Sequence, residues 1–317
     1  IATIAIFLSC SAQATIPTYD LLMENFPTVD LPGSRIAGSL RNDSLGYSVA
    51  NAGDFNGDGV EDMVVGAPGR SYFSRIECGL VMLIFGGTQV VNREFIVSAF
   101  SEAVDGIVIY GEASFDRLGT SVDGAGDVNS DGFNDIILGA PYASHSSLRK
   151  GCAYIIFGRS TLGIANIDLL SNFIPGQTGF KIVGEHVSSS LGWSVSGGGD
   201  FNNDGVSDVV VGAPTTNPSN SGAAYIVYGN AAAGALTIVM AIGLYPSTGL
   251  KVYVSGGAEF STGCSVVLSG DVNDDHIDDV LVASCGMSLS LRPRCGAVYV
   301  IYGVSTQSSA VLDLASG

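Results

Sequence analysis

The sequence predicts an all-β protein, a β-propeller of four-stranded antiparallel blades with about four blades present. Three observations carry that prediction. The motif G-D-[FV]-N-x-D-[GH]-x-x-D occurs four times, starting its aspartate at Asp54, Asp127, Asp200 and Asp271, with spacings of 73, 73 and 71 residues. A fixed period of this size marks stacked supersecondary units. Each period holds four short apolar runs, and glycine punctuates their ends, which is the pattern of a propeller blade. A two-sheet sandwich would not keep so strict a period.

Taken in order, the first stretch admits two readings. Ile1–Leu8 is apolar, and Ala12-Gln13-Ala14 has the small residues of a signal-peptidase site, so 1–14 reads as a secretory signal lacking its Met and basic start. The alternative is a third strand from an earlier blade, with Ile4–Phe7 matching Ile155–Phe157 loosely and lacking the closing glycine. Repeats follow near 34–105, 106–178, 179–248 and 249–317. Within them the runs Leu45–Val49, Leu118–Val122, Leu191–Val195 and Thr262–Val266 read as first strands. Met63–Val65, Ile136–Leu138, Val209–Val211 and Val280–Val282 read as buried second strands. Third strands fall at Val81–Phe85, Ala153–Phe157, Ala224–Tyr228 and Val298–Tyr302, each closed by a glycine at 86, 158, 229 or 303. Outer strands fall at Gly106–Tyr110, Gly179–Val183 and Gly249–Val254, with Ser34–Ala37 as their counterpart ahead of the first loop. Apolar residues on both faces of the inner strands suit blades packed face to face.

The repeated motif joins the first and second strands and places oxygen donors at alternate positions of a tight loop. Candidate ligands are Asp54, Asn56, Asp58, the Val60 carbonyl and Asp62; Asp127, Asn129, Asp131, the Phe133 carbonyl and Asp135. In the later copies they are Asp200, Asn202, Asp204, the Val206 carbonyl and Asp208, then Asp271, Asn273, Asp275, the Ile277 carbonyl and Asp279. Alternate oxygens around a sharp turn suit a hard cation of calcium size, so up to four Ca2+ are expected. An EF-hand shares the opening but needs a bidentate Glu at position 12. Here position 12 is Val65, Leu138, Val211 or Val282, and the EF-hand reading fails in every copy. Asx-rich turns without metal are the bland alternative. A turn by itself does not explain three mutually repelling carboxylates in each copy. Gly59, Gly132 and Gly205 at position 6 supply a positive φ at no steric cost. His276 replaces that glycine in the fourth loop, which is therefore expected to bind most weakly.

The repeat resembles the FG-GAP repeat of the integrin α-subunit propeller and its protist and bacterial relatives. The "FG" element stands as Leu45-Gly46, Leu118-Gly119, Leu191-Gly192 and Thr262-Gly263, without its aromatic. The "GAP" element is intact as Gly66-Ala67-Pro68, Gly139-Ala140-Pro141 and Gly212-Ala213-Pro214, and decays to Ala283-Ser284-Cys285. The match covers about residues 34 to 303. The resemblance implies calcium loops at one end of the propeller, stiffening it, and a protein ligand or partner subunit on the opposite, variable-loop face. A seven-bladed propeller at this period outruns 317 residues, so the chain reads as a fragment of a larger one. The alternative is a small propeller closed by the strand near Ser34–Ala37.

Composition bounds the function. The net charge is −17, and four calcium ions would bring it to about −9, so much of the acidity is ligand. Thirteen Lys and Arg without clustering argue against nucleic acid. No stretch reaches the 18 apolar residues of a membrane span. Six cysteines are too few for a disulfide scaffold. One pairing is expected, Cys285 with Cys295, at the two ends of a strand-connecting loop; Cys10, Cys78, Cys152 and Cys264 read as small apolar groups. The three histidines, His145, His186 and His276, stand in different repeats, so no catalytic centre is expected. Trp193 occupies the position of Tyr47 and Thr120 and reads as blade packing.

Two function classes remain. One is a calcium-stiffened adhesion or interaction propeller, secreted or on the cell surface. The other is the non-catalytic propeller of a larger secreted enzyme or toxin, such as a glycosylphosphatidylinositol-specific phospholipase D-like protein. Partner choice is expected in the variable loops, foremost 69–77 with Arg70, Tyr72, Phe73 and Arg75, and in links such as Gly87–Asp105.

Overall fold

The computed structural model describes residues 34–90, 94–96, 100–101, 104–160, 165–215, 221–229, 237–240, 244–255, 261–288, 294–306 and 309–315. The signal-or-strand segment 1–14, with Cys10, lies outside these residues. The described chain is all-β apart from one turn of 3-10 helix at Thr88–Val90. Blade 1 comprises Ser48–Gly53, Asp62–Ala67, Leu80–Ile84 and Gly106–Tyr110, hydrogen-bonded antiparallel in that order. Blade 2 repeats the order with Ser121–Gly126, Asp135–Ala140, Cys152–Ile156 and Gly179–Val183. Blade 3 has Ser194–Gly199, Asp208–Ala213, Ala223–Val227 and Gly249–Tyr253. Blade 4 has three described strands, Thr262–Gly270, Asp279–Ser284 and Ala297–Ile301. Blades 1 to 3 thus take their outer strand from the opening residues of the next sequence repeat.

A fifth strand laces neighbouring blades. Ile167–Asp168, which leads to the outer strand of blade 2, pairs parallel with the outer strand of blade 1. Thr237–Val239 does the same on blade 2, and Val311–Asp313 on blade 3. Arg35–Ala37 pairs in the same parallel sense with Glu94–Ile96. Second and third strands of blades 2 and 3 are buried along their whole length, because a blade lies against each face. On blades 1 and 4 one face lacks such cover among the described residues: Val49 is 67% exposed and Val298 is 65% exposed.

The sequence reading placed first strands from the FG element onward. In blades 1 to 3 they begin three residues later, because the FG glycine turns the chain with φ of +84°, +83° and +87° at Gly46, Gly119 and Gly192. This glycine and the GAP glycine meet across blades. A Cβ on Gly66, Gly139 or Gly212 would lie 2.1 Å from the carbonyl oxygen of Gly119, Gly192 or Gly263 of the next blade. The same carbonyls accept hydrogen bonds from Ser48, Ser121 and Ser194 Oγ at 2.8–2.9 Å. The two motif elements are one interface, repeated three times.

Polar triads add to two of these interfaces. Glu112, after the outer strand of blade 1, accepts from Tyr154 Oη (2.6 Å) and Lys181 Nζ (2.5 Å) of blade 2. Glu185 of blade 2 accepts from Tyr225 Oη (2.7 Å) and from Lys251 Nζ of blade 3. Burial without a partner would be costly for each of these groups, so the triads fix the order and register of the blades.

One disulfide is described, and it corrects the expected pairing. Cys264 joins Cys285, while Cys295 is free and exposed. The first and second strands of blade 4 pair Thr262 with Ser284, a register that sets Cys264 and Cys285 beside each other. Cys78 and Cys152 are buried free thiols, as expected.

Candidate metal centre

The four motif loops lie at one end of the blades and share one hydrogen-bond plan. In the first, Asp58 N and Gly59 N donate to Asp54 Oδ1 and Oδ2 at 3.0 and 2.8 Å. Asn56 Oδ1 accepts from Asp58 N (2.8 Å), and Asn56 Nδ2 donates to Asp58 Oδ2 (3.1 Å). Val60 N donates to Asp58 Oδ1 at 2.9 Å. Positions 1, 3 and 5 are thereby gathered around the turn. The second loop gathers Asp127, Asn129 and Asp131, with Phe133 N on Asp131. The third gathers Asp200, Asn202 and Asp204, with Val206 N on Asp204. The fourth gathers Asp271, Asn273 and Asp275, with Ile277 N on Asp275.

Position 9 is different. Asp62, Asp135, Asp208 and Asp279 are all buried; each carboxylate receives two backbone N–H groups, and Asp208 a third from Asn202 N at 3.3 Å. Asp62 takes Phe55 N at 3.0 Å and Gly86 N at 2.8 Å, tying the loop to the end of the third strand. Asp135, Asp208 and Asp279 bind Gly158, Gly229 and Gly303 N in the same way. That is why glycine closes every third strand: in the last three, a Cβ there would lie 2.2–2.4 Å from a loop carbonyl. Burial pushes the carboxyl of Asp62 up to about 6 and those of Asp135 and Asp208 up to about 7, with the carboxylate at position 5 adding to the rise. Buried negative charge that backbone donors leave uncompensated is the environment a cation relieves. In the first, second and fourth loops each oxygen of the position-9 carboxylate keeps a lone pair beside its backbone bond, whereas Asp208 Oδ2 accepts from both Phe201 N and Asn202 N. The donor set, all hard oxygens, fits a divalent ion of calcium size.

The turn strain predicted at His276 is present, with φ of +67° where the first three loops have glycine at +85°, +90° and +84°. Position 4 is also left-handed, through Gly57, Ser130, Asn203 and Asp274, which the sequence reading missed. Asp and Asn there tolerate the conformation, and this residue preference was the available signal. In the fourth loop Asp271, Asp274 and His276 bring ligand atoms within 4.8 Å of one another. Adjacent loops are also stitched together: position 8 of the next loop donates its N–H to the position-1 carbonyl, Asn134 to Asp54, Ser207 to Asp127 and Asp278 to Asp200.

The opposite end carries the FG turns and the loops after second strands. A cavity of about 380 Å³ opens there, lined by Tyr47, Pro68, Glu77, Arg117, Tyr142 and Trp193 among others. Trp193 is 40% exposed and meets Tyr142 edge-on, with ring centroids 6.5 Å apart. It lines this cavity and is not blade packing alone, because the ring it meets, Tyr142, stands in the loop after a second strand. Arg117 lies over the Tyr142 ring at 5.4 Å and bonds Glu77 at 2.6 Å. Loop 69–77 is less available than expected. Arg75 is held bidentate by Asp168 at 2.6 and 2.8 Å, Arg70 pairs with Asp43 at 2.8 Å, and Tyr72 stacks on Tyr110. Phe73 alone of the four projects, 88% exposed. The link after the third strand of blade 1 departs from the metal-loop end, away from this cavity, and its residues 91–93, 97–99 and 102–103 lie outside those described.

The FG-GAP repeat family model matches residues 45–76, 118–151 and 191–227, one match in each of the first three blades. The chain is an FG-GAP repeat protein. Like integrin α propellers, it is 31% identical to integrin alpha-5 of Xenopus laevis over 174 residues, and 32% identical to integrin alpha pat-2 of Caenorhabditis elegans over 193. It is also 32% identical over 171 residues to phosphatidylinositol-glycan-specific phospholipase D of Bos taurus. These matches cover 53%, 60% and 54% of this chain but only 14%, 14% and 18% of the relatives' lengths. Blade 4 of the FG-GAP protein, where Ala283 replaces the interface glycine, lies outside the family matches.

Proposed function

We propose that this FG-GAP protein is a non-catalytic, calcium-stiffened propeller module that presents its FG/GAP end to a protein partner at the cell surface or in the extracellular space. The observation that carries the reading is the fourfold loop in which two carboxylates and an Asn carbonyl are drawn around one turn, with a third, buried carboxylate at position 9. Its ligands are Asp54, Asn56, Asp58, the Val60 carbonyl and Asp62, and their equivalents in the other three loops, holding up to four Ca2+. A bound ion neutralises carboxylates that otherwise repel, and it fixes the position-9 aspartate that ties the loop to the third strand. The stiffening then reaches the next blade through the position-8 N–H.

The partner face is the end with the aromatic cavity. Tyr47, Tyr142 and Trp193 offer apolar and π surface, and the neighbouring loops differ from blade to blade while the metal loops do not. Aromatic residues of this kind anchor interfaces. Among the described residues no helix is long and apolar enough to cross a membrane. The second reading, a non-catalytic propeller of a larger secreted enzyme, is favoured by the likeness to phosphatidylinositol-glycan-specific phospholipase D. Thermal melts in excess calcium and in chelator test the shared claim: calcium is expected to raise the midpoint, since an ion that binds only the folded state stabilises it. Coincident melts would refute it.

A further inference from the structure

Tyr228 follows the third strand of blade 3 and stands where blades 1 and 2 carry Phe85 and Phe157. It is 8% exposed, and its hydroxyl is buried without a hydrogen-bond partner among the described residues. A buried phenol normally finds a partner, and an orphaned one destabilises the fold. The ring stacks on Phe201 at 6.4 Å, and the residue lines a cavity of about 170 Å³. That cavity is lined by Asn202, Asp204, Pro246, Ser247 and Ser305 besides Tyr228 itself. Asn202 and Asp204 are positions 3 and 5 of the third metal loop, so Tyr228 and two of the loop's ligands line one small space. It is roomy enough for a few waters. In blade 4 the equivalent Tyr302 is 54% exposed and is served by bulk solvent.

We propose that the Tyr228 hydroxyl holds a water ligand of the cation in the third loop, making that loop the tightest of the four. This rests on the reading that the loops bind calcium. Five protein oxygens leave a calcium ion one or more positions for water. An ion-bound water is a strong hydrogen-bond donor, and the orphaned phenol oxygen of Tyr228 is its acceptor. Phenylalanine in blades 1 and 2 removes that acceptor, so their water ligands are held by solvent only. Tyr228 is a positioning residue: it acts on the ion through the water and satisfies its own hydroxyl in doing so.

The test is calcium titration calorimetry on the parent and on Tyr228→Phe, with Asp204→Ala to identify the third-loop component by its loss. Tyr228→Phe is expected to weaken that component about tenfold, the usual consequence of losing an outer-shell partner of a metal site, and to leave the other components unchanged. Paired melts give an independent readout. In chelator Tyr228→Phe should melt at or above the parent, because the orphan is gone; in calcium it should melt below. An unchanged third component, or a variant weakened equally in chelator and calcium, would overturn the proposal while leaving calcium binding intact. A parent that takes up no calcium would overturn both.

Discussion

Gly139→Ala isolates the interface formed by the FG and GAP elements. Gly139 lies in the second strand of blade 2 with an ordinary negative φ, so alanine brings no backbone strain there. Its cost is packing. The new Cβ would stand 2.1 Å from the Gly192 carbonyl oxygen and 2.2 Å from Ser121 Oγ, both well inside contact distance. Relief requires blade 3 to back away, which breaks the Ser121 Oγ bond to that carbonyl. Overpacking of this kind costs about 1–3 kcal/mol, and the lost hydrogen bond about 1 more. The expected loss is therefore about 2–4 kcal/mol, read as the shift in urea midpoint. Gly132→Ala is the control, since φ there is +90° and open space surrounds the site, so only a backbone cost of about 1–2 kcal/mol applies. Hydrogen exchange should show the Gly139→Ala loss centred on blades 2 and 3, because repeat stability is a sum of unit and neighbour terms. A Gly139→Ala protein within about 0.5 kcal/mol of the parent would refute the interface argument.

Other perturbations follow from the same packing. Burial, with Glu112 nearby, pushes the Asp116 carboxyl up to about 6. The folded state then holds a proton that the unfolded chain releases near pH 4, so stability falls as pH rises from about 4 to 6; Asp116→Asn should flatten that slope in pH-dependent melts, and an unchanged slope would sink it. Lys181→Met leaves Glu112 with Tyr154 only and should destabilise by about 2–3 kcal/mol, whereas Lys181→Met with Glu112→Gln should recover part of that in a double-mutant cycle; simple additivity would argue against the triad. Cys285→Ser opens the link to Cys264 and should lower stability by roughly 3 kcal/mol from chain entropy, an effect that reductant reproduces in the parent; a parent insensitive to reductant would contradict the pairing.

Much of the fold was legible because the repeat imposes it. The outer strand Gly106–Tyr110 could be read from pattern alone, since identical positions in a period occupy identical places in a blade. What the sequence hid depends on contacts between blades. Leu45-Gly46 looks extended by its apolar leucine, yet a positive φ at Gly46 makes it a turn. Cys285 is nearer in sequence to Cys295, but strand register selects Cys264. Arg75 looked like an interface residue because its partner Asp168 lies 93 positions away, on the strand that laces blade 2 to blade 1. Lys181 and Lys251, Tyr154 and Tyr225, Glu112 and Glu185 do recur at equal positions, and that recurrence was the signal for the triads. The metal loops stood out because their donors lie within nine residues of one another.

The central claim is that the four loops hold calcium through their own side chains. The most direct measurement is the number of calcium ions retained per chain after equilibrium dialysis at millimolar calcium, for the parent and for Asp58→Ala, Asp131→Ala, Asp204→Ala and Asp275→Ala. Up to four ions are expected on the parent, one fewer on each of the first three variants, and the smallest loss for Asp275→Ala because His276 strains that turn. A parent that retains none, or variants that retain as many ions as the parent, would contradict the claim.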